Sequence, residues 1–139
     1  MKGPIVIVED DTDDQFIIET IFKELRLANK LLFFHNSEAA FNYLMSTSEI
    51  PFLILSDVNM PGANGVEFKK KIDQADYLRK KSVPFIFLTT SSSVKAAEEA
   101  FTITNLQGYF KKASSIDEMR RIIKLIIEYW STSFNPGND

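Results

Sequence analysis

The stretch LILSDVNMPGANG, residues 53–65, places a single carboxylate directly after an apolar run that has the composition of a strand. Asp57 lies two positions after Leu55, the last residue of the apolar run, and a Val-Asn-Met-Pro turn comes next. An aspartate at the end of a buried strand can cap the turn, bind a metal ion or act as a nucleophile. The stretch by itself leaves these three roles open, so the remainder of the chain has to decide between them.

Five short apolar runs recur along the chain, and each is followed by a segment whose apolar residues have helical spacing. Four of the runs are continuous rather than alternating, which is typical of strands buried on both faces of a parallel sheet. Strand followed by helix, five times over, predicts an α/β fold with right-handed crossovers and helices on both faces of the sheet. The predicted strands are residues 5–8, 31–34, 52–55, 85–88 and 108–110.

Polar residues mark the starts of most predicted helices. Thr12 and Ser115 are each followed three positions later by Gln or Glu, which is the spacing of a capping box. Ser37 is the predicted cap of the second helix. Gly65 opens the third, which we expect to continue as one helix as far as Leu78.

The composition narrows the class of protein. The 139 residues suit one domain, which we place at residues 1–139 with a flexible polar tail at residues 131–139. A net charge of -3 gives no electrostatic reason to expect nucleic-acid binding, and the absence of cysteine excludes disulfides and thiolate chemistry. No apolar run reaches the roughly 18 residues that a membrane span needs, and the N-terminus lacks a signal-peptide pattern. We therefore expect a cytoplasmic protein.

Residues with reactive side chains follow the predicted strands, and a parallel sheet places its sites at the carboxyl ends of its strands. Carboxylates that converge there repel one another, and a divalent cation such as Mg²⁺, which prefers oxygen ligands, relieves the conflict. A carboxylate can also attack phosphorus while a lysine and a hydroxyl stabilise the transferred group. The residues concerned are Glu9, Asp10 and Asp11 after the first strand, Asp57 after the third, Thr89 and Thr90 after the fourth, and Lys111 and Lys112 after the fifth. Together they predict a phosphoryl-transfer site. Within this set Lys111 is interpreted as a solvated neighbour of Lys112, and Asp11, like Asp13 and Asp14, is interpreted as a charge that the helix N-terminus favours.

Four motifs resemble those of response-regulator receiver domains, the CheY-like family: IVIVEDD, LILSDVNMPGANG, PFIFLTTSS and GYFKKAS. Each motif alone is weak, but the four together, in this order, are specific to the family. The resemblance covers nearly the whole chain. It implies a doubly wound, flavodoxin-like fold of three layers, with a five-stranded sheet in the order 2-1-3-4-5, which CheY itself exemplifies.

The resemblance implies a phosphoacceptor and a metal site. Asp57 matches the phosphoacceptor of the family, and Glu9 and Asp10 match the acidic pair that binds Mg²⁺. Asn59 matches the position whose backbone carbonyl is a further metal ligand. Hydrolysis of the phosphoryl group should be tuned by Asn59 and Ser91, and we expect it to be slow because Ser91 has no acid or amide with which to orient water.

The resemblance also implies a phosphoryl-binding and switch set. Thr89 matches the hydroxyl residue of the family, with Thr90 as the alternative, and Lys112 matches the invariant lysine. Tyr109 matches the switch aromatic. Ala113 follows Lys112 where many members have proline after a cis peptide, and a cis bond before a non-proline residue costs about 3 kcal/mol. The isomer of this peptide bond is therefore left open.

The implied function is that of a two-component signalling module with no output domain. A sensor histidine kinase or a phosphotransfer protein would donate the phosphoryl group, and the surface of the fourth helix, fifth strand and fifth helix would change. Such a domain catalyses its own phosphotransfer and dephosphorylation, but it is not an enzyme for a separate substrate. The segment KKASSIDEMRRIIKLIIEYWSTSF resembles the stand-alone regulators of bacterial phytochrome-type kinases. The alternative is a phosphorylation-independent pseudo-receiver that serves as a binding adaptor.

The last predicted helix carries more apolar residues than one buried stripe requires. A helix that is apolar on more than one side is usually buried by more than one neighbour. This pattern predicts a homodimer contact or a kinase contact. The residues assigned to that contact are Ile122, Ile126, Tyr129 and Trp130.

Overall fold

The computed structural model describes residues 3–60, 62, 64–90, 94–103 and 106–132. Its five strands are β1 (Ile5–Val8), β2 (Leu31–Phe34), β3 (Leu53–Ser56), β4 (Phe85–Thr89) and β5 (Gly108–Lys111). Its helices are α1 (Thr12–Leu25), α2 (Ser37–Ser46), α3 (Gly65–Gln74), α4 (Asp76–Lys81), α5 (Val94–Ile103) and α6 (Ile116–Thr132). The predicted strands are confirmed to within one residue at each end.

The strands form one parallel sheet in the order β2-β1-β3-β4-β5, as the family resemblance implies. The three inner strands are buried along their whole length, which explains their continuous apolar runs. The edge strand β2 is only half-buried. β1 and β3 run in register, with Val8 opposite Ser56, so the residues that follow these two strands emerge side by side.

Alternate residues of the inner strands enter two separate cores, one on each face of the sheet. Ile5 and Ile7 of β1 pack with the buried faces of α1 and α6. Val6 and Val8 pack with residues of α2, α3, α4 and α5 on the other face. The fold is therefore the three-layer, doubly wound arrangement that the sequence predicts.

The third predicted helix is wrong as a single element, because it breaks at Ala75. This residue has extended backbone angles (φ -92°, ψ 108°), and it ends α3 and begins α4. The break lets Leu78 stay in the same core as Ile72. It also brings the Lys81 ammonium to the carbonyls of the α2–β3 connection, at 3.0 Å and 2.9 Å. The predicted fourth and fifth helices are consequently α5 and α6.

Two of the predicted helix caps are displaced by one residue. Asp11 rather than Thr12 caps α1, and Asn36 rather than Ser37 caps α2, each through its side-chain oxygen. Asp and Asn are at least as good at this position as Thr and Ser, so the earlier of two adjacent candidates takes the role. Ser115 is confirmed as the cap of α6, since its hydroxyl accepts the Glu118 N–H at 3.2 Å.

The last helix continues to Thr132, two residues into the segment that the sequence analysis assigned to a tail. The hydroxyl of Ser131 donates to the Ile127 carbonyl at 2.6 Å within this final turn. Residues 133–139 lie outside the described residues. Within the described part of the chain, no helix is both long enough and apolar enough to cross a membrane.

Candidate functional site

Three carboxylates converge where β1 and β3 end. The N–H of Asp57 donates to the Val8 carbonyl at 3.0 Å, which continues the pairing of the two strands by one residue. One carboxylate oxygen from each of Glu9, Asp10 and Asp57 can be chosen so that all three lie within 4.8 Å of one another. Glu9 and Asp57 are buried and Asp10 is half-buried. The structure therefore brings the sequence-predicted acids together.

The loop after β3 fixes the Asp57 side chain. Its Oδ1 accepts the Val58 N–H at 2.7 Å and, more weakly, the Asn59 N–H at 3.4 Å. The Gly65 N–H, at the start of α3, donates to the Val58 carbonyl at 2.8 Å. This close approach requires glycine, because a Cβ on Gly65 would lie 2.3 Å from the Asp57 carbonyl oxygen.

Lys112 completes the buried site. The pairing of β5 with β4 carries it there, since its N–H donates to the Thr89 carbonyl at 2.7 Å. Its ammonium contacts Glu9, lies 2.8 Å from Asp14 Oδ2 and lies 3.3 Å from Asp57 Oδ2. The peptide bond between Lys112 and Ala113 is trans, which resolves the alternative left open by the sequence.

Burial and charge act in opposite directions on the ionisable groups of the site. Burial raises the pKa of Glu9 to about 7, although the hydrogen bond from Lys112 opposes this shift. Burial alone would lower the pKa of Lys112, but its hydrogen bonds to Asp14 and Glu9, with the nearby negative charges, raise that pKa above its usual range. The lysine therefore stays charged at neutral pH, and one ammonium faces a larger number of carboxylates.

The donor set of the site fits a hard divalent cation. Carboxylate oxygens are the ligands that Mg²⁺ prefers, and Mg²⁺ commonly binds through few protein ligands while it retains water. Glu9, Asp10 and Asp57 can each offer one oxygen. Asn59 is exposed beside them, and the role of its backbone carbonyl as a ligand stays a prediction.

Of the predicted switch residues, Thr89 adjoins the site through its backbone hydrogen bond with Lys112, and Tyr109 packs against phenylalanines of β4 and α5. Thr89 is fully buried as the last residue of β4, whereas Thr90 is exposed. The ring of Tyr109 is half-buried, 5.9 Å from Phe87 and 6.4 Å from Phe101. The assignment of Thr89 rather than Thr90 as the phosphoryl-binding hydroxyl stays a prediction. Ser91 lies outside the described residues.

Asp14 is the residue of the site that sequence reasoning missed. Its position in the first turn of α1 was interpreted as a charge that favours the helix N-terminus, yet its carboxylate contacts Lys112. A signal was present, because Asp14 precedes the buried Ile18 by four residues and so shares the inward face of the helix. Asp13, one residue earlier, is exposed.

The partner surface predicted on the last helix needs correction. Ile122 and Ile126 are buried in the chain's own core, because α6 turns this stripe toward the sheet. Tyr129 is 61% exposed and Leu125, which the prediction omitted, is 51% exposed. A groove of about 340 Å³ lies beside them. It is lined by Gln107, Phe110, Leu125, Ile126, Tyr129 and the half-buried Trp130.

Comparison with known proteins covers most of the chain. Residues 5–124 match the family model of the response regulator receiver domain. A probable methanogenesis regulatory protein of Methanothrix harundinacea, FilR2, is 27% identical over 91% of this chain and 82% of its own length. Response regulator Rcp1 of Synechocystis is 25% identical over 91% of this chain and 87% of its own. The chain spans only 27% of a longer relative, the Escherichia coli transcriptional regulator NtrC.

Solved structures share the fold over nearly the full length of the chain. The Mn²⁺-bound form of Rcp1 has a TM-score of 0.84 at 25% identity, covering 98% of this chain and 99% of its own. The phosphorylated cyanobacterial phytochrome response regulator RcpA has a TM-score of 0.87 at 24% identity, with the same coverage. Because the family match extends over most of the chain and the fold agrees with it, this chain belongs to the response regulator receiver domain family.

Proposed function

We propose that the chain receives a phosphoryl group on Asp57 from a sensor histidine kinase or a phosphotransfer protein, with Mg²⁺ bound at the site. The observation that carries this proposal is the arrangement around Asp57: two further carboxylates within 4.8 Å and the Lys112 ammonium at 3.3 Å. The arrangement thereby supports the proposal with a carboxylate that can serve as nucleophile, a cluster that can hold a cation and a buried positive charge. These are the elements that phosphoryl transfer to a carboxylate requires.

The residues of the site have complementary tasks in this reaction. The Asp57 carboxylate forms the new P–O bond as the P–N bond of the donor phosphohistidine breaks, and the imidazole leaves with the electron pair. Lys112 neutralises negative charge on the transferred group, and the hydroxyl of Thr89 hydrogen-bonds one of its oxygens. Glu9, Asp10 and Asp57 would hold Mg²⁺, which would supply further neutralisation of the negative charge on the transferred group.

The switch that follows phosphorylation is proposed to run through β4 and β5. Thr89 pairs with Lys111 across these strands, and Phe87 pairs with Tyr109. Movement of Thr89 toward a phosphoryl oxygen would disturb the packing of Tyr109 on Phe87. The surface of α5, β5 and α6 would change as a result. A local change in charge at Asp57 would thereby alter a more distant surface.

The type of kinase is a narrower part of the proposal. Histidine kinases are the partners of the receiver family, and the phytochrome type rests on the resemblance of the C-terminal segment and on the likeness to RcpA. We also propose that the transfer takes place in the cytoplasm, without direct contact of this chain with nucleic acid or membrane. Mg²⁺ is the proposed physiological cation, supported by the oxygen donor set and by the Mn²⁺ in the similar Rcp1 structure.

Labelling by a small phosphodonor tests the proposed function and its metal requirement. We expect acetyl phosphate to phosphorylate the chain when Mg²⁺ is present. We expect excess EDTA to abolish the product, because without a cation the negative charges of the acidic cluster repel the incoming phosphoryl group. Intact-mass measurement follows the product. Readdition of Mg²⁺ is the control. Equal labelling with and without a divalent cation would contradict the metal site.

We further propose that the exposed apolar side chains of α6 contact a second copy of the chain. Leu125 and Tyr129 are exposed beside the apolar groove, and full burial of such a side chain contributes about 2 kcal/mol. Leu125→Ser and Tyr129→Ser should each weaken the dimer by at least about ten-fold in sedimentation equilibrium. Glu128→Ser, an exposed change on the same helix, is the matched control. A parent chain that stays monomeric at high concentration would contradict this interface.

A further inference from the structure

The Lys112 ammonium has one carboxylate partner that the cation site does not use. An ammonium has three N–H donors, and Lys112 meets three carboxylates. Two of them, Glu9 and Asp57, also belong to the cluster that can hold a cation. The third, Asp14, lies outside that cluster, at 2.8 Å from the lysine nitrogen. Among the described residues, Asp14 is therefore a partner of the lysine that the cation site does not share.

The separate position of Asp14 matters because two cationic groups, the Lys112 ammonium and a divalent cation, must occupy the same site. A divalent cation that takes oxygens from Glu9 and Asp57 weakens the hold of the same two groups on the ammonium of Lys112. It also repels that ammonium directly, and a buried pair of charges is screened little by salt. Without another anionic partner, the lysine would either leave the site when the cation binds or oppose its binding.

Asp14 is placed to prevent this conflict. Helix α1 is anchored to the core by Ile18, one turn beyond Asp14, and its start is fixed by the Asp11 cap, whose Oδ1 accepts the Asp14 N–H at 3.0 Å. The Asp14 side chain is 32% exposed, whereas that of Lys112 is 6% exposed. The aspartate thus reaches the buried ammonium from the more exposed rim of the site.

We infer that Asp14 is a positioning residue that holds the Lys112 ammonium beside Asp57 when a divalent cation is bound, so that both positive charges occupy the site together. Asp14 acts through the lysine and does not touch the phosphoryl group. This inference rests on the proposed function only in that a cation binds to Glu9, Asp10 and Asp57. It assigns a role within the site to a residue whose sequence position indicated only a helix-terminal charge.

A double-mutant cycle in Mg²⁺ affinity tests this role. Isothermal titration of Mg²⁺ should show that Asp14→Asn binds about five-fold more weakly than the parent chain, because Lys112 then competes for Glu9 and Asp57. In the Lys112→Met background the same substitution should change the affinity by less than about two-fold. Asp13→Asn, which removes an exposed charge from the same helix turn, is the control and should also change it by less than about two-fold.

Two results of the titration would overturn the inference. An equal loss from Asp14→Asn in both backgrounds would mean that Asp14 acts on the cation directly, by its charge. An equal loss from Asp13→Asn would mean that any carboxylate near the helix start has the same effect. A loss confined to Asp14→Asn with Lys112 present supports the inference.

A spectroscopic readout on the single variant does not depend on the folding of Lys112→Met. In ¹⁵N NMR of the Mg²⁺-saturated parent, the ammonium of Lys112 should give a signal protected from solvent exchange. Asp14→Asn should lose that signal while its backbone amide spectrum keeps the native pattern. An unchanged ammonium signal in Asp14→Asn would overturn the inference.

Neither measurement uses a phosphodonor, so the two proposals can fail separately. Coupling between Asp14 and Lys112 without phosphorylation of Asp57 would refute the proposed function and leave the positioning role intact. Phosphorylation of Asp57 without coupling between Asp14 and Lys112 would support the proposed function and refute the positioning role of Asp14.

Discussion

Replacement of Asp57 by asparagine is expected to abolish phosphorylation by acetyl phosphate while the fold is retained. Asparagine has the same shape, and its amide oxygen can still accept the N–H groups of Val58 and Asn59 that Asp57 Oδ1 accepts. The amide, however, is not a nucleophile toward phosphorus, and the other two carboxylates of the cluster follow β1 rather than lying in the loop that presents Asp57. Intact mass after incubation with Mg²⁺ and acetyl phosphate measures the effect.

A charge-matched control distinguishes loss of the nucleophile from loss of one negative charge. Asp13→Asn removes one carboxylate from an exposed position and should be labelled as the parent is. Asp57→Asn should also bind Mg²⁺ more weakly, because it removes the negative charge of one of the three clustered carboxylates. Full labelling of Asp57→Asn would refute the assignment of the phosphoacceptor. No labelling of the parent chain, with Mg²⁺ bound, would instead favour the pseudo-receiver alternative.

Replacement of Gly65 by alanine is expected to lower the free energy of unfolding by about 3 kcal/mol or more. The new Cβ would lie 2.3 Å from the Asp57 carbonyl oxygen and 2.9 Å from the Val58 Cα. Both are backbone atoms, so no flexible side chain can move aside to relieve the overlap. Chemical denaturation measures the loss, and the labelling rate should fall as well because relief of the clash displaces Asp57.

Gly62 offers a matched control for this prediction. It lies in the same loop with a positive φ of 79°, and among the described residues a Cβ there would meet no heavy atom within 4 Å. Gly62→Ala should therefore cost only the strain of the left-handed conformation, about 1 kcal/mol. If Gly65→Ala is no less stable than Gly62→Ala, the close approach of α3 to the Asp57 loop is not the constraint described above.

The sheet could be predicted well from the sequence because burial on both faces leaves a continuous apolar run in each inner strand. The strand order could not be obtained in this way, since the residues that pair are far apart in the chain, and it came from the family resemblance. The sequence around Ala75 contains no glycine or proline that would predict a break in the helix. Beyond the break, Leu78 packs in the core and Lys81 donates to the Thr47 carbonyl, and these are tertiary contacts that a local sequence pattern does not contain.

Those residues of the candidate site that lie at the ends of strands could be predicted from the sequence. Glu9, Asp10 and Asp57 are such residues, and a parallel sheet gathers them at one edge. Asp14 was not, because a helix start explains an acidic residue equally well and only the tertiary structure shows Lys112 beside it. The partner surface was partly wrong for a related reason, since an apolar pattern alone does not distinguish the buried Ile122 from the exposed Leu125.

Chemical mapping of the phosphorylated residue tests the central claim most directly. Borohydride reduction converts an aspartyl phosphate to homoserine, and peptide mass spectrometry then locates the converted residue. We predict homoserine at position 57 in the chain treated with acetyl phosphate and Mg²⁺, and none in the untreated chain. Conversion at Asp10 or Asp14, or a stable phosphoryl group on another residue with Asp57 unchanged, would contradict the account.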